Sequence, residues 1–406
     1  MPCSSLRTEF GTRELLGKST RQMKDLSKRS YDVIIVGAGP AGSTLGYELA
    51  RKGVGVLVLE KESIPRYKTC AGGITVKTAK LLDFDIASVT RDVVHGARVA
   101  YKGKRAFTKS YNKPLIYMVM RNDFDYLLAQ RAREAGAVLI DNEKVCQIDV
   151  TAPGVNVTTT HNTFTGRILA GADGARSTVA SGVGLMHNVD FGIGMEAEIS
   201  VSSQRLVQWE RLMGISLGHI RGGYGWVFPK KSHLSVGVGG PFRQAKGLRS
   251  GYQAVLKSYD LQSHPVVRLR SHYLPVRRKG EAIRSKRCLL LGDAAGLVDP
   301  LTGEGIYNAI KSAQIAAPVI NRCLRTNDVD LRAYEGAIDR EIMSEIKTAR
   351  ALARIITWLP WLCFDLLENS DRLWKACCRL LRGEETYATI RQRLEPCDGL
   401  FDLLST

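Results

Sequence analysis

The segment running from Tyr31 to Glu60, YDVIIVGAGPAGSTLGYELARKGVGVLVLE, constrains the fold of this 406-residue chain more than any other. A run with buried-strand character, residues 33–36, leads straight into Gly37-Ala38-Gly39-Pro40-Ala41-Gly42. A helical pattern follows, then a second strand over residues 54–59 that ends in an acid. Each part has a mechanical task in holding a dinucleotide. Gly37 permits a tight turn, Gly39 lets the backbone approach a pyrophosphate, and Gly42, next to Ala41, lets helix and strand pack closely. The helix start offers free N–H groups and the positive end of its dipole to phosphates. Glu60, with Lys61 beside it, is placed to meet the ribose. Glycine spacing alone is a weak signal, whereas strand, glycines, helix, strand and terminal acid in this order is a specific one.

Other segments decide which dinucleotide. Residues 288–313 read CLLLGDAAGLVDPLTGEGIYNAIKSA: a buried strand, then Gly292-Asp293, then a turn-rich stretch that opens a helix at Ile306. A carboxylate at a strand tip suits a sugar-alcohol chain, and Gly303-Glu304-Gly305 would aim N–H groups at electron-rich flavin oxygens. Between these segments, residues 168–179 place Asp173-Gly174 after another strand. The triplet of motifs resembles the FAD-dependent family that shares the para-hydroxybenzoate hydroxylase fold, over roughly residues 31–313. The resemblance implies FAD as cofactor, with Asp293 on the ribityl chain and Arg121, in Arg121-Asn122-Asp123-Phe124-Asp125, on the FAD side.

A chain of this length exceeds one ordinary core. The expected fold class is α/β: a discontinuous Rossmann-like FAD-binding domain of the para-hydroxybenzoate hydroxylase type, with an inserted antiparallel β substrate domain and a C-terminal helical region. The expected FAD-binding domain takes residues 31–189 and 283–325. Residues 190–282, with short alternating runs between Gly, Pro and polar turns, form the β-rich body, and part of 91–120 is open to joining it. Residues 326–406 read as helical. Nine cysteines show no C-x-x-C and no His-rich companion spacing, so no metal site or disulfide framework is expected and a reducing compartment is implied.

The net charge is +18. Such a balance suits nucleic acid, anionic membranes or anionic substrates. Neither zinc-finger nor RNP-like nor helix-turn-helix patterns occur, so nucleic acid is set aside. Residues 1–30 read as a basic, disordered arm without the apolar core of a secretory signal, although its Ser/Thr- and Arg/Lys-rich composition also leaves a targeting segment open. Residues 351–367, ALARIITWLPWLCFDLL, are apolar but too short and too interrupted for a span. Core, channel cover and membrane interface remain open for them, and Trp358, Trp361 and Trp374 among arginines and lysines fit the last. The expectation is a cytoplasmic protein with possible contact to anionic membranes.

Two further segments carry the substrate chemistry. Pro65-Arg66-Tyr67-Lys68-Thr69-Cys70-Ala71-Gly72-Gly73 follows the Glu60 strand, and the paired glycines Gly72 and Gly73 would let backbone pass the flavin face. Tyr224-Gly225-Trp226-Val227-Phe228-Pro229 spaces three aromatics by two, so Tyr224, Trp226 and Phe228 share one strand face as an apolar wall. With GDAAGLVDPLTGEGI, these segments resemble the geranylgeranyl reductase family. The resemblance implies saturation of carbon–carbon double bonds in a prenyl diphosphate, an ether lipid or a chlorophyll-type side chain. Hydride would come from reduced FAD, with water excluded and a cation-like transition state met by the aromatic wall. Cys70 is then a candidate for gating or proton delivery, and Lys230 and Lys231 for a phosphate head group, with solvated surface as the plainer reading of both lysines. The external electron donor, NADPH or a ferredoxin-like protein, is left open. A flavin monooxygenase or halogenase is the alternative enzyme, although Gly296 stands where such relatives commonly carry histidine. A non-catalytic flavin- and lipid-binding protein is the third reading.

Overall fold

Residues 30–393 are described by the computed structural model. The N-terminal arm, Cys3 and Cys397 lie outside them.

Ser30–Val36 lies between Val56–Leu59 and Thr163–Gly171, all three parallel. Val138–Ile140 extends the sheet on one side, and Cys288–Leu290 pairs in parallel with the far end of Thr163–Gly171. Val155–Thr159 and Val145–Val150 complete it antiparallel. The central stretches of the parallel strands, residues 33–36, 56–59, 168–170 and 288–290, are apolar and buried, as in a parallel sheet covered on its faces. Val33, Ile34, Ile35, Leu57, Val58, Leu169 and Leu289 are wholly inaccessible. Helices Pro40–Ala50 and Ile306–Thr326 pack against each other beside this sheet.

A second seven-stranded sheet runs in the order Val266–Arg277, Val189–Ile199, Leu234–Pro241, Tyr224–Pro229, Leu212–Leu217, Gly96–Tyr101, Arg105–Ser110. Its alternation is that of a sheet covered differently on its two faces. One face buries Ala197, Val227, Val236 and Val238 with Tyr252, Val255 and Leu256 of helix Leu248–Ser258. The opposite face carries Tyr224, Trp226 and Phe228. A small third sheet, Gly73–Thr75 with Ile116–Val119 and Thr90–Val94, bridges the two large ones.

Beyond residue 326 the described chain is helical, as its pattern predicts. Helices Pro360–Asn369 and Asp371–Leu381 lie against the edge of the second sheet, where Phe364 meets Phe107 at 5.2 Å between ring centroids. Trp374 departs from the interfacial reading. It is buried in this cluster, and its indole N–H donates to the Ser110 carbonyl at 3.1 Å. Trp358 and Trp361 remain outside, 65% and 50% exposed. Among the described residues, no helix is long and apolar enough to cross a membrane.

Candidate active site

The first glycine loop folds as a phosphate cradle. Gly37 has φ +102°, and a Cβ there would lie 2.4 Å from the Ala172 carbonyl oxygen. A Cβ on Gly42 would sit 1.9 Å from the Gly37 oxygen, so helix and loop close up only with glycine. Gly39 heads helix Pro40–Ala50 and gives it no side-chain cap. The first-turn N–H groups therefore point outward without a protein acceptor from a cap, an arrangement that fits an anion. Helix Ile306–Thr326 likewise starts at Gly305 without a side-chain cap. Gly292 sits where the two helices meet, its position bounded by Ala41 and Ala309. These uncapped ends, converging beside Asp293, fit a flavin dinucleotide.

Glu60 is more committed than its strand-tip position predicts. Its Oε2 accepts from the Ala38 N–H at 3.0 Å and faces the Arg66 guanidinium at 3.3 Å, so one oxygen already holds the glycine loop. Arg66 also reaches Asp125 at 3.1 Å, and Arg121 grips Asp125 through two hydrogen bonds of 2.8 and 2.9 Å. Glu60, Arg66, Asp125 and Arg121 thus form a chain of alternating charge. Burial works against the Arg121 cation, but Asp125 and then Cys70 outweigh it and hold the guanidinium protonated.

Asp293 is partly exposed at the tip of Cys288–Leu290, and His272 Nε2 stands 3.7 Å from it. Lys68 Nζ lies 3.3 Å from the same histidine nitrogen. Burial, then Arg121, lowers the Lys68 pKa, while Asp293 opposes them. Tyr224 donates its hydroxyl proton to the Thr302 carbonyl, which ties the aromatic strand to the 303–305 loop. Glu304 is taken up by protein partners: it accepts from Thr75 and Thr78 at 2.8 and 2.7 Å and pairs with Lys77 at 3.1 Å.

Residues 30–214 match the FAD binding domain family. An uncharacterised protein of Methanosarcina barkeri is 32% identical over 372 residues, covering 91% of this chain and 95% of its own length. A chloroplastic geranylgeranyl diphosphate reductase of Arabidopsis thaliana is 26% identical, over 83% of this chain and 76% of its own. A digeranylgeranylglycerophospholipid reductase of Methanocaldococcus jannaschii is 27% identical, over 82% and 89%. The crystal structure of a geranylgeranyl bacteriochlorophyll reductase-like protein of Thermoplasma acidophilum superposes with a TM-score of 0.72 at 25% identity, over 81% of this chain and 88% of that one. The chain belongs to the geranylgeranyl reductase family of FAD-dependent oxidoreductases. A flavin-dependent brominase shares the fold at 20% identity, with a TM-score of 0.73 over 91% of this chain and 99% of its own.

Within this fold the aromatic strand alternates as its spacing predicts: Tyr224, Trp226 and Phe228 are half-buried on one face, with Gly225, Val227 and Pro229 buried on the other. Tyr224 and Trp226 lie 6.0 Å apart between ring centroids. Trp226 lies over Gly237, where a Cβ would come within 2.3 Å of its ring. Its indole N–H is buried without a protein acceptor. Phe228 touches the Cys70 turn, since a Cβ on Gly73 would stand 3.2 Å from its ring. In register, the face continues from Trp226 across Gly237 to Glu196 and then Arg270. It therefore grades from aromatic to charged.

Three sequence expectations change here. Gly72 has φ +64°, and its missing Cβ makes room for the Val119 oxygen at 2.2 Å and the Lys230 ammonium at 2.9 Å. Protein packing alone therefore demands glycine at 72, whatever passes over it. Lys230 is buried, not a surface head-group ligand, whereas Lys231 is exposed. Asp173 accepts from Ser177 Oγ at 2.6 Å and the Val179 N–H at 3.1 Å, so its side chain braces Ser177, the N-cap of the short helix Thr178–Gly182, and Gly174 turns the chain at φ +82°. Lys61 is exposed beyond Glu60 and Ile306 is buried at its helix start. Arg66, Asp125, Glu304 and the Lys68–His272 contact were not singled out from sequence. Arg66 carried the only local signal, a guanidinium six residues beyond Glu60 on the same loop.

Proposed function

We propose that this chain saturates carbon–carbon double bonds of a prenyl chain on an amphipathic lipid. The observation that carries the reading is the graded sheet face: the aromatic wall Tyr224–Trp226–Phe228 abuts the Cys70 turn at one end and gives way to Glu196 and Arg270 across two strands. Relatives named as reductases of geranylgeranyl diphosphate and of digeranylgeranylglycerophospholipid support the substrate class.

Gly37–Gly42, Glu60, Asp293, Arg121 and the 303–305 loop are the residues that would hold FAD. Bound and reduced, FAD supplies a hydride. The protein's own work is to lay the alkene along the aromatic wall and exclude water. The wall's ring faces favour positive charge developing on the carbon that receives the hydride. Cys70, on the turn that touches Phe228, is the candidate to pass the balancing proton to the neighbouring carbon. The electron donor in this proposal is an external reductant, NADPH or a ferredoxin-like protein.

The apolar substrate also directs where the enzyme works. Trp358, Leu359, Trp361 and Leu366 are exposed around the junction of Ser344–Trp358 and Pro360–Asn369, with Arg221 stacked 4.9 Å from the Trp358 ring centroid. In our reading this corner rests on an anionic membrane surface. The test of the chemistry is anaerobic: dithionite-reduced holoprotein mixed with geranylgeranyl lipid should regain its oxidised flavin absorbance. Reoxidation only when oxygen is admitted would favour the monooxygenase or halogenase alternative.

A further inference from the structure

Lys230 closes the aromatic strand, directly after Pro229, and its side chain leaves the second sheet to end under the Cys70 turn. Its ammonium group donates to the Ala71 carbonyl at 2.7 Å, to Val119 at 2.9 Å and to Gly72 at 3.2 Å. Three protons meet three carbonyls, and the group is otherwise dry. Gly72 in turn accepts from the Val119 N–H at 2.8 Å and offers its own N–H to Cys70 Sγ at 3.4 Å. A buried lysine that spends all its donors on backbone of another sheet is expensive as a packing residue, since its charge is desolvated. We propose that Lys230 is a positioning residue: its ammonium group fixes the Cys70-Ala71-Gly72-Gly73 turn to the aromatic strand, so that thiol and wall move as one body.

This rests on the reading that the Cys70 turn borders the reaction site. The surrounding charges support a held cation. Glu196, Cys70, Asp92 and Glu198 favour it, whereas desolvation is the larger effect and brings its pKa down to about 8. Arg121 and His233 also face the same cleft. The clamp is therefore complete at neutral pH and loses one of its three donors as pH rises past that value.

Backbone hydrogen exchange on FAD-loaded protein without lipid tests it. In Lys230→Met the 70–75 segment should exchange about tenfold faster, with the strands of the first sheet unchanged. Lys230→Gln, which keeps two donors, should restore part of the protection, a rescue that mere volume would not give. Should both variants misfold, the wild-type protein still decides. After correction for intrinsic base catalysis, protection of 70–75 should fall between pH 7 and pH 9.5 while that of residues 33–36 holds. Unchanged exchange in folded variants, or flat protection across that pH range, overturns the proposal. Because no lipid is present, failure of prenyl saturation would leave this result standing, and the converse also holds.

Discussion

Asp293 Oδ1 sits so close to Gly305 that a Cβ there would stand 2.9 Å from it, while His272 approaches its other oxygen. The carboxylate is thus wedged between the 303–305 loop and the second sheet, with one side partly exposed. Asp293→Ala should weaken FAD binding by about 1.5–3 kcal/mol, the loss of a charge-assisted hydrogen bond. Flavin fluorescence titration of apoprotein measures this, and unchanged affinity removes Asp293 from the site. Glu196 gives a second residue-scale prediction. Burial raises its pKa from 4.5 to about 7, against the pull of Lys230. A carboxyl whose folded pKa is raised binds more protons folded than unfolded through that interval, so it stabilises below it and that stability is lost as pH climbs from 4.5 to about 7. The melting temperature of wild type should therefore drop relative to Glu196→Gln over that range. Parallel melting curves would show that the carboxyl stays ionised in the fold.

At the scale of elements, the aromatic strand and its glycine neighbours form one unit. Gly237→Ala would push a methyl into the Trp226 ring and should destabilise the protein by about 1–3 kcal/mol through overpacking. Chemical denaturation measures it, and an unchanged midpoint would mean that Trp226 swings freely. Trp226→Ala and Phe228→Ala should instead depress prenyl reduction while leaving the bound-flavin spectrum nearly intact. Wild-type turnover in both would make the strand mere core. Much of this was legible in the chain. The strand–glycine–helix order at 31–60 and the two-residue spacing at 224–228 are local periodicities, and local geometry obeys them. Lys230 was not legible, because its three carbonyl partners lie more than a hundred residues upstream and leave no trace in the spacing. Trp374 failed for a related reason. Composition groups it with Trp358 and Trp361, but only the packing of Asp371–Leu381 on Ser110 decides which indoles stay outside. The helices themselves follow from pattern, and their sidedness does not.

The whole molecule joins a dinucleotide-binding sheet to a sheet one face of which runs from aromatic to charged, with C-terminal helices packed on the aromatic edge. Tyr387, in the last described helix, donates to Asp299 at 2.7 Å, and Asp299 in turn accepts from the Leu301 and Thr302 N–H groups. These helices therefore brace the 299–302 turn. A net charge of +18 and an exposed tryptophan corner predict salt-sensitive binding to anionic vesicles, with about 1 kcal/mol from each Lys or Arg near the surface. Trp358→Ser with Trp361→Ser should remove the part that survives high salt. Equal partitioning onto neutral and anionic vesicles at low salt would contradict the electrostatic half of this picture. The central claim is chemical, and mass spectrometry of the lipid tests it most directly. After anaerobic incubation of geranylgeranyl lipid with the chemically reduced holoprotein, the account predicts products heavier in steps of two hydrogens, absent when FAD is withheld. Unchanged lipid mass beside a fully reduced, correctly folded enzyme would contradict it.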